Sequence, residues 1–376
     1  MIFLYGTLRH PPLLRTVLGR AVETVPARLP GGRVVHAPGA SWPRLLLPRA
    51  ETEGAAEGIL IAADPTDRAR LDFYEQGFGY ELAPLTVETG DGRVRAEAYL
   101  PLADDSAPGP AWTLGDWARA HGALALEAAA EFMALWPGFS AERAAALWPQ
   151  ILQRAASRIR AASDPMARGI RQGRGPVEVL SRRTPWRGFF ELVEARLRFP
   201  RFDGSPGPVV QRAAFVSGDA VTVLPYDAVR DRVLVVEQFR FAPLVRGDAL
   251  PWSVEAIAGR IDGGETPEDA ARREALEEAG LTLGRLIGAG RYYPSPGAVT
   301  EYLYSYIAPC DLPDGSAGIG GLADEAEDIR AHLLDFGALM EMVARGEIEN
   351  APLLISALQL ARLRADLRAG GAGQAG

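Results

Sequence analysis

The chain has 376 residues, of which 48% are hydrophobic and 23% are charged, and its formal net charge is −8. This length is too great for one ordinary core and predicts two domains, while the composition excludes a disordered chain. The acidic balance argues against a nucleic-acid backbone as the main partner, because no large basic surplus is available to replace counterions.

The N-terminal residues and the cysteine content bear on location. The apolar run Met1–Tyr5 is interrupted by Gly6 and Arg9, far short of a signal-peptide core or a membrane-spanning segment, so it is interpreted as a buried first strand. Cys310 is the single cysteine and cannot form an internal disulfide. We therefore expect a cytoplasmic protein that does not act at a membrane.

Residues 1–110 contain short apolar runs separated by proline and glycine. These runs are Ile2–Tyr5, Gly58–Ala62, Leu85–Val87 and Val94–Leu100. Runs of this length, bounded by turn-forming residues, are typical of strands. The region is therefore predicted to be a small, mainly β domain with one or two helices.

Residues 111–175 are predicted to form a helical connector and a linker. The stretch Leu114–Arg171 is rich in Ala, Leu, Glu and Arg, which favour helix, and Trp136–Gly138 marks a break within it. At residues 169–176 the composition changes to Gly, Arg and Pro, which is typical of a linker. A second domain, residues 176–368, is expected to follow.

The second domain mixes strands and helices without a regular βαβ repeat, which favours the α+β class. Ala220–Pro225 and Arg232–Gln238 are apolar runs that predict an antiparallel hairpin, and Leu303–Ala308 predicts a further strand. Two helices are expected at Asp335–Ala344 and Ala351–Arg368. The Gly- and Ala-rich residues 369–376 are expected to form a disordered tail.

The segment Gly259–Leu281 contains the strongest local signals in the chain. Thr266 can cap a helix, Pro267 suits its first position, Asp269 occupies the position of a capping-box acid, and Gly280 suits its exit. A helix is therefore predicted from about Pro267 to Ala279.

Three glutamates lie on one face of this predicted helix. Glu274, Glu277 and Glu278 are spaced i, i+3 and i+4, so their carboxylates repel one another, and Arg273 can relieve only part of that repulsion. An isolated Glu-x-x-Glu-Glu is usually a solvated helix face. Together these oxygens also suit a hard divalent cation, with Mg²⁺ as first choice and Mn²⁺ as a substitute.

The whole segment resembles the signature of the Nudix hydrolases. The fixed positions of that signature are matched by Gly259, Glu265, Arg273, Glu274, Glu277, Glu278 and Gly280, and only Ala275 is a small version of its apolar position. So long a gapped pattern is far more specific than the three glutamates alone. The resemblance implies metal-assisted attack of water on a nucleoside diphosphate linked to another group.

Neighbouring segments resemble the ADP-ribose pyrophosphatases within that family. Ser295–Glu301 is similar to their Ser-Pro-Gly loop, although a plain proline turn is the alternative, and the resemblance extends from about Val177 to Arg364. The other similar segments are Trp186–Phe190, Glu237–Arg240, Glu255–Ala258 and Gly321–Arg330. The resemblance implies hydrolysis of ADP-ribose to AMP and ribose 5-phosphate.

The same resemblance implies roles for individual residues. Ala258 would offer its backbone carbonyl to the metal, beside the carboxylates of Glu274, Glu278 and Glu327. Glu325 would be the general base, with Glu301 and Glu327 as alternatives, and Glu277 belongs to the catalytic set. The residues implied for the substrate site are Phe189, Phe190, Arg240, Glu255, Ser295, Pro296, Gly297 and Glu301.

One position departs from the family pattern. Where relatives often carry an arginine before Gly218, this chain has Ser217. That arginine helps to hold substrate across a dimer interface, so either Arg212 replaces it or the affinity is lower. A homodimer formed through the Nudix domain is implied by the resemblance.

The first domain carries motifs of a different family. Tyr5–Arg9 places a glycine turn after a strand, and with Leu71–Gly77 and Tyr80 it resembles the γ-glutamylcyclotransferase-like fold, a small β-barrel. The resemblance implies that the loop of Tyr5, Gly6, Thr7 and Leu8 grips a γ-glutamyl group and that Glu75 is the acid/base for cyclisation to 5-oxoproline. A binding or dimerisation module is an equal alternative.

The expected protein is thus α+β, with a γ-glutamylcyclotransferase-like barrel, a helical connector and a Nudix α/β/α sandwich. This layout resembles the tellurite-resistance-associated Nudix proteins of bacteria. The expected partner is a nucleoside diphosphate sugar, with ADP-ribose as first choice and another such sugar as the alternative. A sensor that binds the nucleotide without turnover is a further alternative, although binding alone would not need a costly cluster of carboxylates.

Overall fold

The structure is a computed structural model that describes residues 1–48, 54–102, 107, 109–164, 175–322 and 327–371. It divides into two compact units, Met1–Pro165 and Met166–Gly376. In the described ranges, no helix combines the length and the apolar character needed to cross a membrane.

The first unit is built on a small barrel. Its strands are β1 (Ile2–Leu4), β2 (Val25–Pro30), β3 (Arg33–His36), β4 (Pro43–Leu46), β5 (Ala55–Ile61), β6 (Tyr80–Thr89) and β7 (Gly92–Pro101). Strands β1, β5, β2, β6 and β7 close in that order, with β1 completing the ring by pairing parallel to β7, while β3 and β4 form a separate pair. The predicted barrel is confirmed.

Helices cover this barrel. They are α1 (Pro11–Leu18), α2 (Pro65–Gln76), α3 (Leu114–Met133), α4 (Ala141–Ala145) and α5 (Trp148–Ser163), and a short 3-10 helix spans Thr7–Arg9. From the region predicted as a connector, Trp117, Phe132 and Ile151 are buried in the same apolar cluster as Leu71 of α2. The connector helices therefore form part of the core of the first unit. Most of the expected linker lies outside the described residues.

The second unit contains two sheets. Its strands are β8 (Glu178–Arg187), β9 (Glu191–Arg198), β10 (Val210–Val216), β11 (Ala220–Asp227), β12 (Arg232–Phe239), β13 (Trp252–Glu255), β14 (Ile257–Arg260), β15 (Ile287–Tyr292), β16 (Leu303–Pro309), β17 (Ile319–Gly320) and β18 (Ile329–Asp335). Strands β10, β9 and β8 form one sheet. The other runs β15-β16-β11-β12-β18-β17, with β13 joined to β12 and β14 to β11.

The larger sheet lies between helices. These are α7 (Pro267–Ala279) on one face and α8 (Phe336–Arg345) and α9 (Ala351–Gly371) on the other, while the short α6 (Phe241–Arg246) follows β12 and has no buried residue. Val221 and Val223 of β11 belong to the apolar cluster that holds α7, whereas Leu224 and Tyr226 belong to the cluster that holds α8 and α9. Because alternate side chains of a strand point to opposite faces, β11 is buried on both sides. This arrangement is the predicted α/β/α sandwich.

Local predictions in this unit are confirmed. Strands β11 and β12 form the predicted hairpin, with Tyr226 opposite Val233. Helix α7 has the predicted bounds, and β16, α8 and α9 lie where strands and helices were expected. Of the expected disordered tail, residues 369–371 are helical, and residues 372–376 lie outside the described part.

Candidate active site

Helix α7 is held against the central sheet by its small residues. Ala270, Ala271 and Ala275 are fully buried in the cluster that includes β11, and Glu278 is buried on this same side of the helix. At its start, the Thr266 hydroxyl accepts a hydrogen bond from the Asp269 N–H at 3.1 Å. At its end, Gly280 adopts the left-handed conformation with φ of 65°. The sequence thus fixes both ends of the helix.

Arg273 joins this helix to the loop that precedes it. Its guanidinium donates two hydrogen bonds of 3.0 Å to the two carboxylate oxygens of Glu265. It also donates to Glu274 at 2.8 Å, to Glu277 at 3.0 Å and to the backbone carbonyl of Arg260 at 2.9 Å. One arginine therefore sets the distance between the end of β14 and the carboxylate-bearing face of α7.

The carboxylate of Glu274 lies directly against Gly259 of β14. A Cβ atom at this glycine would stand 1.8 Å from Glu274 Oε1, so only glycine leaves space for the carboxylate. Burial raises the pKa of Glu274 to about 7, and the nearby charge of Arg273 opposes this rise. Glu274 is therefore held in a confined position where its negative charge is costly.

Glu278 is the most deeply buried carboxylate of the cluster, with 2% of its surface exposed. Its Oε2 is 3.4 Å from the donating N–H of Ala258. Burial raises the pKa of Glu278 to about 9, and repulsion from Glu274 and Glu327 adds to the rise. The three carboxylates of Glu274, Glu278 and Glu327 thus act on one another electrostatically.

Two glycines bring Glu327 close to the end of α7. A Cβ atom at Gly320 would stand 2.1 Å from the carbonyl oxygen of Glu278, and the Gly321 N–H donates to the carbonyl of Glu277 at 3.2 Å. The Glu327 carboxylate accepts a hydrogen bond from the Leu322 N–H at 3.3 Å. Glu325, the predicted base, lies outside the described residues, which omit positions 323–326.

The cluster of Glu274, Glu278 and Glu327 fits a hard divalent cation in its chemistry. Within the described ranges, no three His, Cys, Asp or Glu side chains already stand in an ion-binding arrangement, and Glu274 is partly engaged by Arg273. Oxygen donors that raise one another's pKa are nevertheless the type of ligand that such cations take. A bound cation would offset the repulsion among them.

Arg240 and Glu255, predicted separately as substrate residues, form an ion pair. Arg240 lies at the end of β12 and donates to both carboxylate oxygens of Glu255, at 3.0 and 2.8 Å. Glu255 is buried at the end of the neighbouring strand β13. Arg240 also lies within electrostatic reach of Glu278 and Glu327. The positively charged guanidinium of Arg240, held by two hydrogen bonds to Glu255, is therefore fixed beside the carboxylate cluster.

The aromatic residues Phe189 and Phe190 form the turn between β8 and β9. Their rings meet edge to face with centroids 4.8 Å apart, and Phe190 also packs against Phe215 at 4.7 Å. Half of Phe189 is exposed. The guanidinium of Arg260, which the sequence analysis did not single out, lies 5.4 Å from the Phe189 ring centroid and 5.1 Å from that of Phe190.

The loop that begins with Ser295, Pro296 and Gly297 is exposed and closes on itself. The Ser295 carbonyl accepts hydrogen bonds from two N–H groups, those of Ala298 and Val299, each at 3.0 Å. The loop is tied to β10, because the Phe215 N–H donates to the Ala298 carbonyl at 2.8 Å and the Thr300 N–H donates to the Phe215 carbonyl at 3.0 Å. Phe215 thus links this loop to the aromatic turn.

Glu301 and Ser217 lie next to this loop. Burial raises the pKa of Glu301, and the charges of Arg260 and Arg240 oppose the rise, so both arginines lie within electrostatic reach of it. Ser217 is buried, and its backbone N–H and carbonyl both bond to the Thr300 hydroxyl at 3.1 Å. Both contacts use the backbone of Ser217, so they do not explain the departure from arginine, while the proposed substitute, Arg212, has an exposed side chain on β10.

The first unit holds a separate acidic group at Glu75, near the end of α2. Burial raises the pKa of its carboxyl to about 7, and no hydrogen bond to another described residue lowers it. Four tyrosines lie within electrostatic reach of this carboxyl: Tyr5, Tyr74, Tyr80 and Tyr99. Of these, Tyr99 was missed by the sequence analysis, since β7 is distant from the other motifs in sequence. A carboxyl with a pKa near neutrality can both accept and donate a proton.

The predicted gripping loop offers mainly its backbone. The side chains of Tyr5 and Leu8 are buried, and the Tyr5 hydroxyl donates to the Tyr99 carbonyl at 2.7 Å. A Cβ atom at Gly6 would stand 3.0 Å from the ring of Pro43, so the backbone passes close to β4 there. The structure thus places Tyr5 beside Glu75 and leaves Gly6 and Thr7 as the parts of the loop nearest to solvent.

Comparison with protein families assigns both halves of the chain. Residues 2–119 match the model described as gamma-glutamyl cyclotransferase, AIG2-like. Residues 216–354 match the model of the NUDIX domain. The first match covers the barrel together with Glu75, and the second covers the larger sheet with the carboxylates of α7.

Curated proteins from bacteria match the second half. ADP-ribose pyrophosphatase of Escherichia coli (strain K12) is 41% identical over 184 residues, 49% of this chain and 87% of that protein. The Haemophilus influenzae protein of the same name is 34% identical over 181 residues, 48% and 83% of the two chains. GDP-mannose pyrophosphatase of Escherichia coli O1:K1 is 36% identical over 156 residues, 41% and 80%. A crystal structure of an ADP compounds hydrolase is 19% identical, with a TM-score of 0.42 over 53% of this chain and 100% of that chain.

Proposed function

This chain belongs to the Nudix family of hydrolases, and we propose that it hydrolyses the diphosphate of ADP-ribose to AMP and ribose 5-phosphate. The observation that carries the proposal is the cluster of Glu274, Glu278 and Glu327 beside the fixed guanidinium of Arg240. Relatives that are 41% and 34% identical over nearly this whole half are ADP-ribose pyrophosphatases, which supports this substrate.

The residues that would hold Mg²⁺, with Mn²⁺ as a substitute, are the carboxylates of Glu274, Glu278 and Glu327 and the backbone carbonyl of Ala258. Such an ion neutralises the diphosphate and acidifies a bound water. The chain holds the substrate around that position: Arg240 faces the phosphates, and the exposed ring of Phe189 faces the adenine. The loop Ser295–Gly297, with Glu255 and Glu301, lines the remaining wall.

Water adds to one phosphorus, and the bridging oxygen leaves with the other phosphate, so each product carries one phosphoryl group. Glu325 takes the proton of the attacking water in this proposal, with Glu301 and Glu327 as the alternatives. The carboxylate of Glu277 accepts a hydrogen bond from Arg273, which supports a role in holding α7 to its loop. Fixed charges around the phosphates stabilise the charge that develops in the transition state.

The test is product release from ADP-ribose and from a panel of nucleotide sugars that includes GDP-mannose, with Mg²⁺ and with a chelator. Glu278→Gln is compared with Glu341→Gln, an exposed helical glutamate of α8 outside the cluster. We expect AMP formation that requires Mg²⁺, falls by about 100-fold or more in Glu278→Gln and is unchanged in Glu341→Gln. Tight binding of ADP-ribose with no turnover of any diphosphate would reject the hydrolase and leave a nucleotide sensor.

The proposal also covers the oligomeric state and the cellular location of the protein. We propose a homodimer formed through the Nudix half, because large apolar side chains on β8 are exposed, among them Val179 and Trp186. We also propose a cytoplasmic location, since Cys310 is the only cysteine. A link to tellurite resistance rests on the sequence resemblance alone, and growth of a deletion strain on tellurite tests it.

A second candidate function concerns the first unit, and the position of Glu75 among tyrosines favours it. In this proposal the α-amino nitrogen of a γ-glutamyl amine attacks the γ-carbonyl carbon, 5-oxoproline forms, and the amine leaves. Glu75 takes a proton from the attacking nitrogen and returns it to the leaving amine. Release of 5-oxoproline by the native chain but not by Glu75→Gln supports catalysis, whereas binding without release in both chains supports a binding module.

A further inference from the structure

Arg260 of the second unit contacts two parts of the candidate site, and no sequence motif assigns it a role. It is the last residue of β14 and follows Gly259, the glycine that makes room for Glu274. Its backbone carbonyl accepts the 2.9 Å hydrogen bond from Arg273. Its side chain leaves in another direction and places the guanidinium carbon about 5 Å from both rings of the aromatic turn. One residue therefore joins the carboxylate helix to Phe189 and Phe190.

The aromatic turn is on an exposed part of the unit. Residues of β8 are largely exposed along the strand, and Phe189 itself is half exposed. Within the turn, the Gly188 N–H donates to the Phe190 carbonyl at 2.9 Å. An exposed ring on such a turn has several rotamers and turn positions available, and a ligand that stacks on it must fix one of them.

The guanidinium of Arg260 supplies a contact that favours one position. A cation within about 6 Å of a ring centroid is attracted to the ring face, and Arg260 meets this condition for two rings at once. The carboxylate of Glu301 also lies within electrostatic reach of this guanidinium. The guanidinium thus contacts both rings and interacts with an acid.

We propose that Arg260 is a positioning residue that fixes Phe189 and Phe190 as the platform for the base of the substrate. This inference rests on the proposed function, in which a nucleoside diphosphate is the substrate. Its consequence is selective: Arg260 strengthens the binding of the base-bearing half of the substrate and leaves the half without a base unaffected. With Glu325 as the base the chemical step is also unaffected, because the aromatic turn is not part of the carboxylate cluster.

The two products allow the binding of each half of the substrate to be measured separately, since AMP carries the base and ribose 5-phosphate does not. In Arg260→Gln, we expect the Kd for AMP, measured by calorimetry on the full chain, to rise about 5- to 10-fold, and the Kd for ribose 5-phosphate to stay unchanged. With ADP-ribose, KM should rise by a similar factor while kcat stays near the native value. Arg260→Lys retains a cation and should recover part of the AMP affinity.

Two further variants exclude a general structural effect. Arg291→Gln removes an equivalent contact, a guanidinium 5.4 Å from the ring centroid of Tyr304, and should leave AMP binding unchanged. Phe189→Leu should raise the Kd for AMP by itself. Adding Arg260→Gln to Phe189→Leu should raise that Kd by a smaller factor than Arg260→Gln does in the native chain. Circular dichroism melting curves of all variants report whether each one is folded.

Three results would overturn the proposal: native affinity for AMP in Arg260→Gln, no AMP binding by the native chain, or equal weakening of AMP and ribose 5-phosphate. Equal weakening of AMP and ribose 5-phosphate would mean that the Arg260 guanidinium binds a phosphate, because both products carry one. AMP binding requires no turnover, so this test is independent of catalysis. Arg260-dependent AMP binding without hydrolysis of ADP-ribose would reject the proposed function and support the role of Arg260.

Discussion

Gly259 leaves the space that the carboxylate of Glu274 occupies, since a methyl group at this position would stand 1.8 Å from Glu274 Oε1. In Gly259→Ala the carboxylate must move or change rotamer, while the strand β14 can keep its path. We expect kcat/KM for ADP-ribose to fall by about 100-fold, because misplacing a catalytic group by about 1 Å has effects of that order. The measurement is AMP release with Mg²⁺, together with the melting temperature.

Gly284→Ala is the matched control for this substitution. A Cβ atom at Gly284 would meet no atom within 4 Å, so activity and stability should both stay at native values. Native activity in Gly259→Ala would contradict the proposed position of Glu274 in the site.

The buried carboxylate of Glu75 lowers the stability of the fold when it is ionised. Its pKa in the folded chain is about 7, above the ordinary value of 4.5, because the carboxyl is buried. The protonated carboxyl therefore supports the fold below about pH 4.5, and this contribution is lost as pH rises through about 7. Glu75→Gln cannot ionise, so we expect its first unit to melt at a higher temperature than that of the native chain at pH 8 and at a similar temperature at pH 4.

The control for Glu75→Gln is Glu81→Gln on β6, where the side chain is exposed. Its melting temperature should follow the native value across the same pH range. A Glu75→Gln chain that is less stable than the native chain at pH 8 would show that the ionised carboxylate is stabilised in the fold, contrary to this account. Destabilising groups of this kind are typical of functional sites.

Among the elements, the turn between β11 and β12 is tied to both C-terminal helices through Asp231. The Asp231 carboxylate accepts hydrogen bonds of 2.8 Å from the Tyr226 hydroxyl and from the Arg364 guanidinium of α9, and its backbone carbonyl accepts the Phe336 N–H of α8 at 2.9 Å. The hydrogen bond from Arg364 is the main cause that lowers the pKa of Asp231 to about 2. A single side chain thus holds α9 to the edge of the hairpin.

Asp231→Asn tests this connection and keeps the left-handed backbone, with φ of 60°, that Asn also tolerates. We expect the second unit to lose about 1–2 kcal/mol of stability at neutral pH. Because the pKa of Asp231 in the folded chain is below its ordinary value of 3.8, this stabilisation is present above about pH 4 and is lost as pH falls through about 2. Urea unfolding curves of both chains should therefore converge toward pH 2.

Asp314→Asn provides the comparison, because Asp314 pairs with Arg232 at 2.7 Å but is 98% exposed. An exposed pair contributes little, so this variant should unfold at the same urea concentration as the native chain. A loss in Asp231→Asn no greater than in Asp314→Asn would mean that the helices do not depend on the hairpin turn.

The elements also show what the sequence could predict. Helix α7 was predicted at its observed bounds, because Thr266, Pro267 and Gly280 act on the backbone within one turn of themselves. The pairing of Arg240 with Glu255 could not be predicted, since it depends on how β12 and β13 lie side by side. The contact of Arg260 with Phe189 joins strands of different sheets. Such contacts are set by tertiary packing, for which one sequence has no local signal.

On the scale of the whole molecule, the sequence placed two domains, but it did not show that the helices after β7 belong to the first. Their alanine-rich composition indicates helix without indicating what the helices pack against. Arg154 of α5 is buried and pairs with Glu131 of α3 at 2.6 Å. A charged pair at that depth shows that α3 and α5 form an integral part of the core of the first unit.

The proposed homodimer is a prediction at the same scale. Val179 and Leu180 of β8 are 58% and 42% exposed, so two large apolar side chains are uncovered near the start of this strand. We expect sedimentation equilibrium to give twice the chain mass of 40.3 kDa. The double variant Val179→Glu with Leu180→Glu should sediment as a monomer.

Val229→Glu serves as the control, because Val229 is an exposed apolar residue in the turn between β11 and β12. It should sediment as the native chain does. A native chain that sediments as a monomer at micromolar concentration would contradict the dimer.

The hydrogen bonds of Arg273 have a consequence for how the enzyme responds to its surroundings. They join the loop at Glu265, the end of β14 and the start of the carboxylate face using protein atoms alone. Where a metal itself closes the fold, as in a zinc finger, its removal unfolds the domain. Here hydrogen bonds between protein atoms join these elements, so we expect uptake and release of the ion to require no refolding. Activity would therefore follow the free concentration of the cation promptly and reversibly.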